Sequence, residues 1–220
     1  MRIASLSLVA LMFASSLSTG CSGQRGADAA PPQSQHEQVR RIDAPVDTVV
    51  LDGAFDAHIV PGKTSRLALV GNPRVLNNVK TTVRKGVLTI SMRSKAALRS
   101  NVQLRLETPS VSRVECSGAS RLHVDDVAAQ RFALDLSGAS RAWLTGQVDD
   151  LEIEVAGSAR VDSTELRAQR VDVDLSGAGR IDVHAVATLD AEISGTGRVG
   201  YIGHPDVQRS VSGIGRIGPI

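Results

Sequence analysis

A chain of 220 residues accommodates one domain or two small ones. Hydrophobic residues at 42% permit a sizeable core, while aromatics at 2% exclude the usual ring-filled interior. A formal charge of +2 argues against general nucleic-acid binding, which needs a net basic footprint. The core must then be built from Val, Ile, Leu and Ala, which suits a narrow interior where side chains of similar size stack in layers.

Residues 1–20 have the layout of a secretory signal. Arg2 supplies the positive start, and Ala4 to Leu17 form an apolar run too short to span a bilayer comfortably. The stretch Leu17-Ser18-Thr19-Gly20-Cys21 places a small residue directly before a cysteine, as in the bacterial lipobox. The aliphatic residue usual three places before that cysteine is here Ser18. The expectation is lipid attachment at Cys21, with ordinary cleavage near Ala27-Asp28-Ala29 as the alternative. Ser22, where an Asp would favour inner-membrane retention, points to the outer membrane. Residues 21–41, rich in Gly, Ala, Pro, Gln and Ser, read as a lipidated end and flexible tether. The expected location is therefore outside the inner membrane, lipid-anchored at the outer membrane or in the periplasm.

From residue 42 the chain is expected to form one all-β domain reaching residue 220. Candidate strands are Val46–Leu51, Ala54–Val60, Arg66–Val70, Val79–Arg84, Val87–Met92 and Val102–Glu107. Asp52-Gly53, Pro61-Gly62, Asn72-Pro73 and Lys85-Gly86 mark turns between them. These strands are expected to cap or begin the body of the domain.

That body, from residue 117 onward, is a repeat. The phrase recurs as Ser117-Gly118-Ala119-Ser120-Arg121, Ser137-Gly138-Ala139-Ser140-Arg141, Ala156-Gly157-Ser158-Ala159-Arg160, Ser176-Gly177-Ala178-Gly179-Arg180, Ser194-Gly195-Thr196-Gly197-Arg198 and Ser212-Gly213-Ile214-Gly215-Arg216. Each phrase is preceded by an apolar residue, from Cys116 to Val211, and followed by another, from Leu122 to Ile217. An acid stands one place further upstream in five copies, at Glu115, Asp135, Glu154, Asp174 and Glu192. The alternation between phrases has a period of two, as in Val171-Asp172-Val173-Asp174-Leu175. A unit of 18–20 residues holds three short strands and their corners. The expected fold is a three-sided parallel β-helix with rungs of that length, right-handed because right-handed crossovers dominate. Glycine at the second place of each phrase is expected at a corner, free to adopt positive φ. Cys116 occupies a core slot and is expected to be an inert buried thiol.

These residues resemble a known family, the putative auto-transporter adhesin head GIN domain. The Ser-Gly-Ala-Ser phrase carries the resemblance, together with Phe55-Asp56-Ala57-His58-Ile59 before Pro61-Gly62 and with Tyr201-Ile202-Gly203-His204-Pro205. The resemblance spans residues 46–218. It implies a bacterial envelope β-solenoid without catalytic residues to carry over.

Candidate chemistry weighs the same way. Gly195-Thr196-Gly197-Arg198-Val199-Gly200 and Gly213-Ile214-Gly215-Arg216-Ile217-Gly218 match a dinucleotide fingerprint in spacing. Neither opens a helix, and both fall on the repeat. No cofactor, metal or catalytic residue is expected, since the five histidines show no paired ligand spacing. The alternative of a polysaccharide-acting enzyme on a β-helix is disfavoured because the acids are spread evenly, one per rung. The candidate site is a column of Arg121, Arg141, Arg160, Arg180, Arg198 and Arg216. Two roles are open to it: a solvated ion-pair ladder with the acid column, or a linear face recognising an anionic polymer such as lipopolysaccharide or another envelope glycan. The expected partners are thus the membrane, through the lipid, and an envelope glycan or protein, with no nucleic acid.

Overall fold

The computed structural model describes residues 36–93 and 102–220, so the expected signal and Cys21 lie outside the described residues. The described chain is nearly all β, wound into a solenoid of about five turns. Its body consists of four long strands, β9 (Arg121–Leu136), β10 (Arg141–Val155), β11 (Ser158–Leu175) and β12 (Ala178–Ile193), paired in parallel in that order. Two short strands, β13 (Thr196–Ile202) and β14 (Asp206–Val211), pair with successive parts of β12, and β15 (Ile214–Pro219) pairs with β13.

Equivalent repeat positions lie over one another. Ala142 pairs with Leu122 and Val161, Val161 with Ile181, Ile181 with Val199, and Val199 with Ile217. Cys116, Leu136, Val155, Leu175 and Ile193 form a second buried column. One rung cannot close a core, because each contributes only a ring of aliphatic side chains. Stacking makes those rings continuous, each fully buried Val or Leu contributing about 1.5–3 kcal/mol. Among the described residues, Phe55 and Phe132 are the only rings in the fully buried set. Cys116 is a free, buried thiol in contact with the Ser140 hydroxyl at 3.5 Å.

Residues 48–118 both begin the solenoid and close its amino-terminal end. Strands β2 (Thr48–Gly53), β3 (Phe55–Pro61), β6 (Val87–Met92), β7 (Val102–Thr108) and β8 (Arg113–Gly118) pair in parallel as its first turns. On their outer side lie antiparallel strands: β4 (Arg66–Gly71) on β7, and β5 (Val79–Arg84) on β6. One helical turn, α1 (Pro73–Leu76), sits where a turn is expected at Asn72-Pro73; the Asn72 side chain caps it. The tether expected through residue 41 ends earlier. His36–Arg41 form β1, antiparallel to β4 over the full strand, and the Arg40 guanidinium bonds the Val79 carbonyl and the Thr81 hydroxyl. Polar composition hid this strand, because it lies at an edge and buries little.

The glycine column also departs from the expectation. Of the six phrase glycines only Gly118 has positive φ, at 118°. The others are required by close approach. A Cβ on Gly138, Gly157, Gly177, Gly195 or Gly213 would run into the carbonyl oxygen of the glycine one rung before. That carbonyl points along the stack and accepts the next rung's N–H: Gly118 from Ala139 at 2.7 Å, Gly157 from Ala178 at 2.8 Å, Gly177 from Thr196 at 2.9 Å.

Candidate functional site

The six arginines stand in one register. Arg141 pairs with Arg121 and Arg160, Arg160 with Arg180, Arg180 with Arg198, and Arg198 with Arg216. They alternate with the buried column that begins at Leu122, so the period of two turns them outward. Arg121, Arg141, Arg160, Arg180 and Arg216 are exposed, and Arg198 is half-buried. At the spacing of neighbouring rungs, about 4.8 Å, adjacent guanidinium groups repel by about 0.9 kcal/mol in bulk water before salt screening. Flexible stems let them fan apart at that cost.

The acid column is also in register, from Glu115 through Asp135, Glu154, Asp174 and Glu192 to Ser210. A second acid column, Glu152, Asp172 and Asp190, runs beside it on the same outer face. The expected ion-pair ladder between the acids and the arginines does not form. Among the described residues Asp135 instead meets Arg113 at 2.6 Å, Arg170 meets Asp150, and Arg180 turns within its own strand to Asp182 at 2.6 Å. The physical reason is the corner: the glycine phrase between each acid and its arginine interrupts the strand and sets the two in separate columns. The arginines have other carboxylates near them instead, Asp182 bonded to Arg180 and Asp56 in register with Arg121, while the acids of the two outer columns crowd one another. Burial, then Asp190, Glu152 and Asp174, push the Asp172 carboxyl above its ordinary value.

On one side of the arginines runs a trough. Ala139, Ser158 and Ala178 stand two residues before Arg141, Arg160 and Arg180, and together these residues line an open groove of 540 Å³. On the other side, two residues after each arginine or its counterpart, stands a column that the sequence pattern did not disclose. His58 pairs with His123, His123 with Trp143, Trp143 with Asp162, Asp162 with Asp182, and Asp182 with Gly200. The first three stack as rings, with centroids 4.5 Å apart and planes within 12° and 9° of parallel. Burial, then the facing His58, lower the His123 pKa. The signal was present in the chain, since His58, His123 and Trp143 each follow Asp56, Arg121 or Arg141 by two places. Only the register shows that these positions are neighbours. Among the described residues, no cluster of three or more His, Cys, Asp or Glu side chains is placed to hold a metal.

Fold and site together define a class: a repetitive β-solenoid that presents in-register columns of charged side chains along its outside. Within that class the chain belongs to the family described as "putative auto-transporter adhesin, head GIN domain", whose pattern matches residues 46–205. Solved structures share the fold. A putative adhesin from Bacteroides fragilis NCTC 9343 aligns with TM-score 0.71 at 15% identity, covering 86% of this chain and 99% of its own. A putative lipid binding protein from Parabacteroides distasonis ATCC 8503 aligns with TM-score 0.50 at 17% identity, covering 84% and 96%. A comparison with curated proteins gives no match.

Proposed function

We propose that the protein is a non-enzymatic, lipid-anchored module of the bacterial envelope that binds an anionic glycan along its arginine face. The adhesin-like character of the family supports the binding role. The observation that carries the ligand class is the column of six in-register arginines, bordered by a groove and separated from the acids by a corner. Guanidinium groups at a fixed repeat suit a polymer whose carboxylates or phosphates also recur at intervals, because each charge-assisted contact is weak alone and adds along the chain. Catalysis is disfavoured because the carboxylates recur evenly along a flat face instead of converging on one bond.

Retention on immobilised lipopolysaccharide tests the ligand. The wild-type protein is expected to bind in a salt-sensitive manner. Changing all six arginines to glutamine is expected to abolish retention; undiminished binding by that variant refutes the proposal. The anchor is tested separately: globomycin should block maturation at Cys21, and fractionation should place the mature protein with membranes. Processing that ignores globomycin means an ordinary cleaved signal.

A further inference from the structure

We propose that the free face of the Trp143 indole is a stacking subsite for one pyranose ring of an acidic glycan, an inference that rests on the anionic-glycan reading of the arginine face. The ring stack has two ends. At His58 it begins beside Arg105, its partner on β7. At Trp143 it stops abruptly, because the same column continues as Asp162, Asp182, Gly200 and Gly218. The rings of His123 and Trp143 are nearly parallel, with centroids 4.5 Å apart on neighbouring rungs, so the stack runs along the solenoid axis. The indole therefore turns one face to His123 and the other towards the rung of Asp162. A large ring is followed there by a short side chain, which leaves a step one rung deep and about one ring thick.

Such a step has the dimensions and chemistry of a single sugar site. A pyranose presents a flat patch of C–H groups to an aromatic face and hydroxyls around its rim. Placed as the next member of the stack, it would lie over Asp162, whose Oδ1 already accepts from the Thr164 N–H and hydroxyl at 3.2 and 2.7 Å and is thereby held in place. A carboxylate so positioned accepts from sugar hydroxyls. Arg141 and Arg160, two residues before Trp143 and Asp162, are exposed on the same outer face and supply donors for an acidic substituent. The arrangement reads one residue of a polymer, whereas the arginine column reads its charge. Trp143 is half-buried and has one ring partner, His123, among the described residues.

Trp143 is the sole tryptophan, so intrinsic fluorescence reports on this site directly. Two probes separate ring from charge: a galacturonic acid hexamer and poly-L-glutamate of matching charge. The hexamer is expected to change the emission in a saturable way, and poly-L-glutamate to bind without doing so. Trp143→Ala should weaken hexamer binding about tenfold and leave poly-L-glutamate binding as it was, while Trp143→Phe should retain most of the hexamer affinity. Unchanged emission with bound hexamer, or full affinity in both variants, overturns the subsite and leaves the arginine reading intact. If the wild type binds neither polyanion, the arginine reading fails and the subsite with it.

Discussion

At the level of single residues, the chemistry of this protein comes from what the neighbours one rung away do to a side chain. Asp172 shows it. Partial loss of solvation and three surrounding carboxylates raise its pKa although the residue is exposed, so the folded state holds that proton more tightly than the unfolded chain does. Stability from this group is present at low pH and is lost as pH rises through the raised folded value. Asp172→Asn is expected to raise the melting temperature at neutral pH, and the gain should vanish below the ordinary carboxylate range. A melting temperature that falls at neutral pH would mean that the carboxylate is paired rather than crowded. Arg180 is the opposite case: its bond to Asp182 raises the guanidinium pKa, and it is one member of the arginine column with its own counter-ion.

At the level of the element, the repeating unit is held by corners as much as by strands. Buried hydroxyls tie the glycine corners to their neighbours: the Ser120 hydroxyl accepts from the Phe55 N–H at 3.1 Å and donates to the Gly53 carbonyl at 3.2 Å, and the Ser140 hydroxyl accepts from the Ser120 N–H at 3.3 Å. The glycines beside them allow rungs to approach. Gly177→Ala would press a methyl group into the Gly157 backbone, which cannot retreat without breaking the corner bond from Ala178. The expected loss is about 1–3 kcal/mol, read as a lower denaturant midpoint. Gly218→Ala is the control. It meets nothing within 4 Å and should stay within about 0.5 kcal/mol of wild type. Equal effects at both sites would show that glycine serves backbone freedom rather than close approach.

At the level of the whole molecule, the two ends of the solenoid are closed differently. The amino-terminal end carries antiparallel strands, β4 on β7 and β5 on β6. At the carboxy-terminal end, among the described residues, β14 pairs only with β12 and β15 only with β13, so each has one edge without a partner strand there. Ile214 is 80% exposed there. Edges of this kind recruit other strands unless something blocks them. The inward column Val114, Leu134, Ile153, Val173 and Ala191 ends in Arg209, a charge where a core residue stands in every earlier rung. A second molecule stacking here would have to bury that guanidinium without a partner. Arg209→Val is expected to produce concentration-dependent association in sedimentation velocity, while the wild type stays a single species over the same range. A variant that sediments like wild type would show that the edge is protected by something other than this charge.

The repeat, the all-β class, the outward arginine column and the burial of Cys116 were legible in the amino-acid order, because a period of 18–20 residues with alternating polarity can be read without knowing what touches what. Packing in three dimensions settled the rest. The ion-pair ladder failed because the glycine corner expected between acid and arginine sets them in separate columns, and spacing alone does not say how far apart those columns stand. The glycines serve contact between rungs, a distance that no local preference encodes. His36–Arg41 became a strand through pairing with β4, not through any apolar pattern of its own. The ring stack of His58, His123 and Trp143 joins residues up to 85 positions apart in sequence and adjacent only through register. Periodicity fixes which way a side chain points, and only the stacking of one turn upon another fixes what it meets.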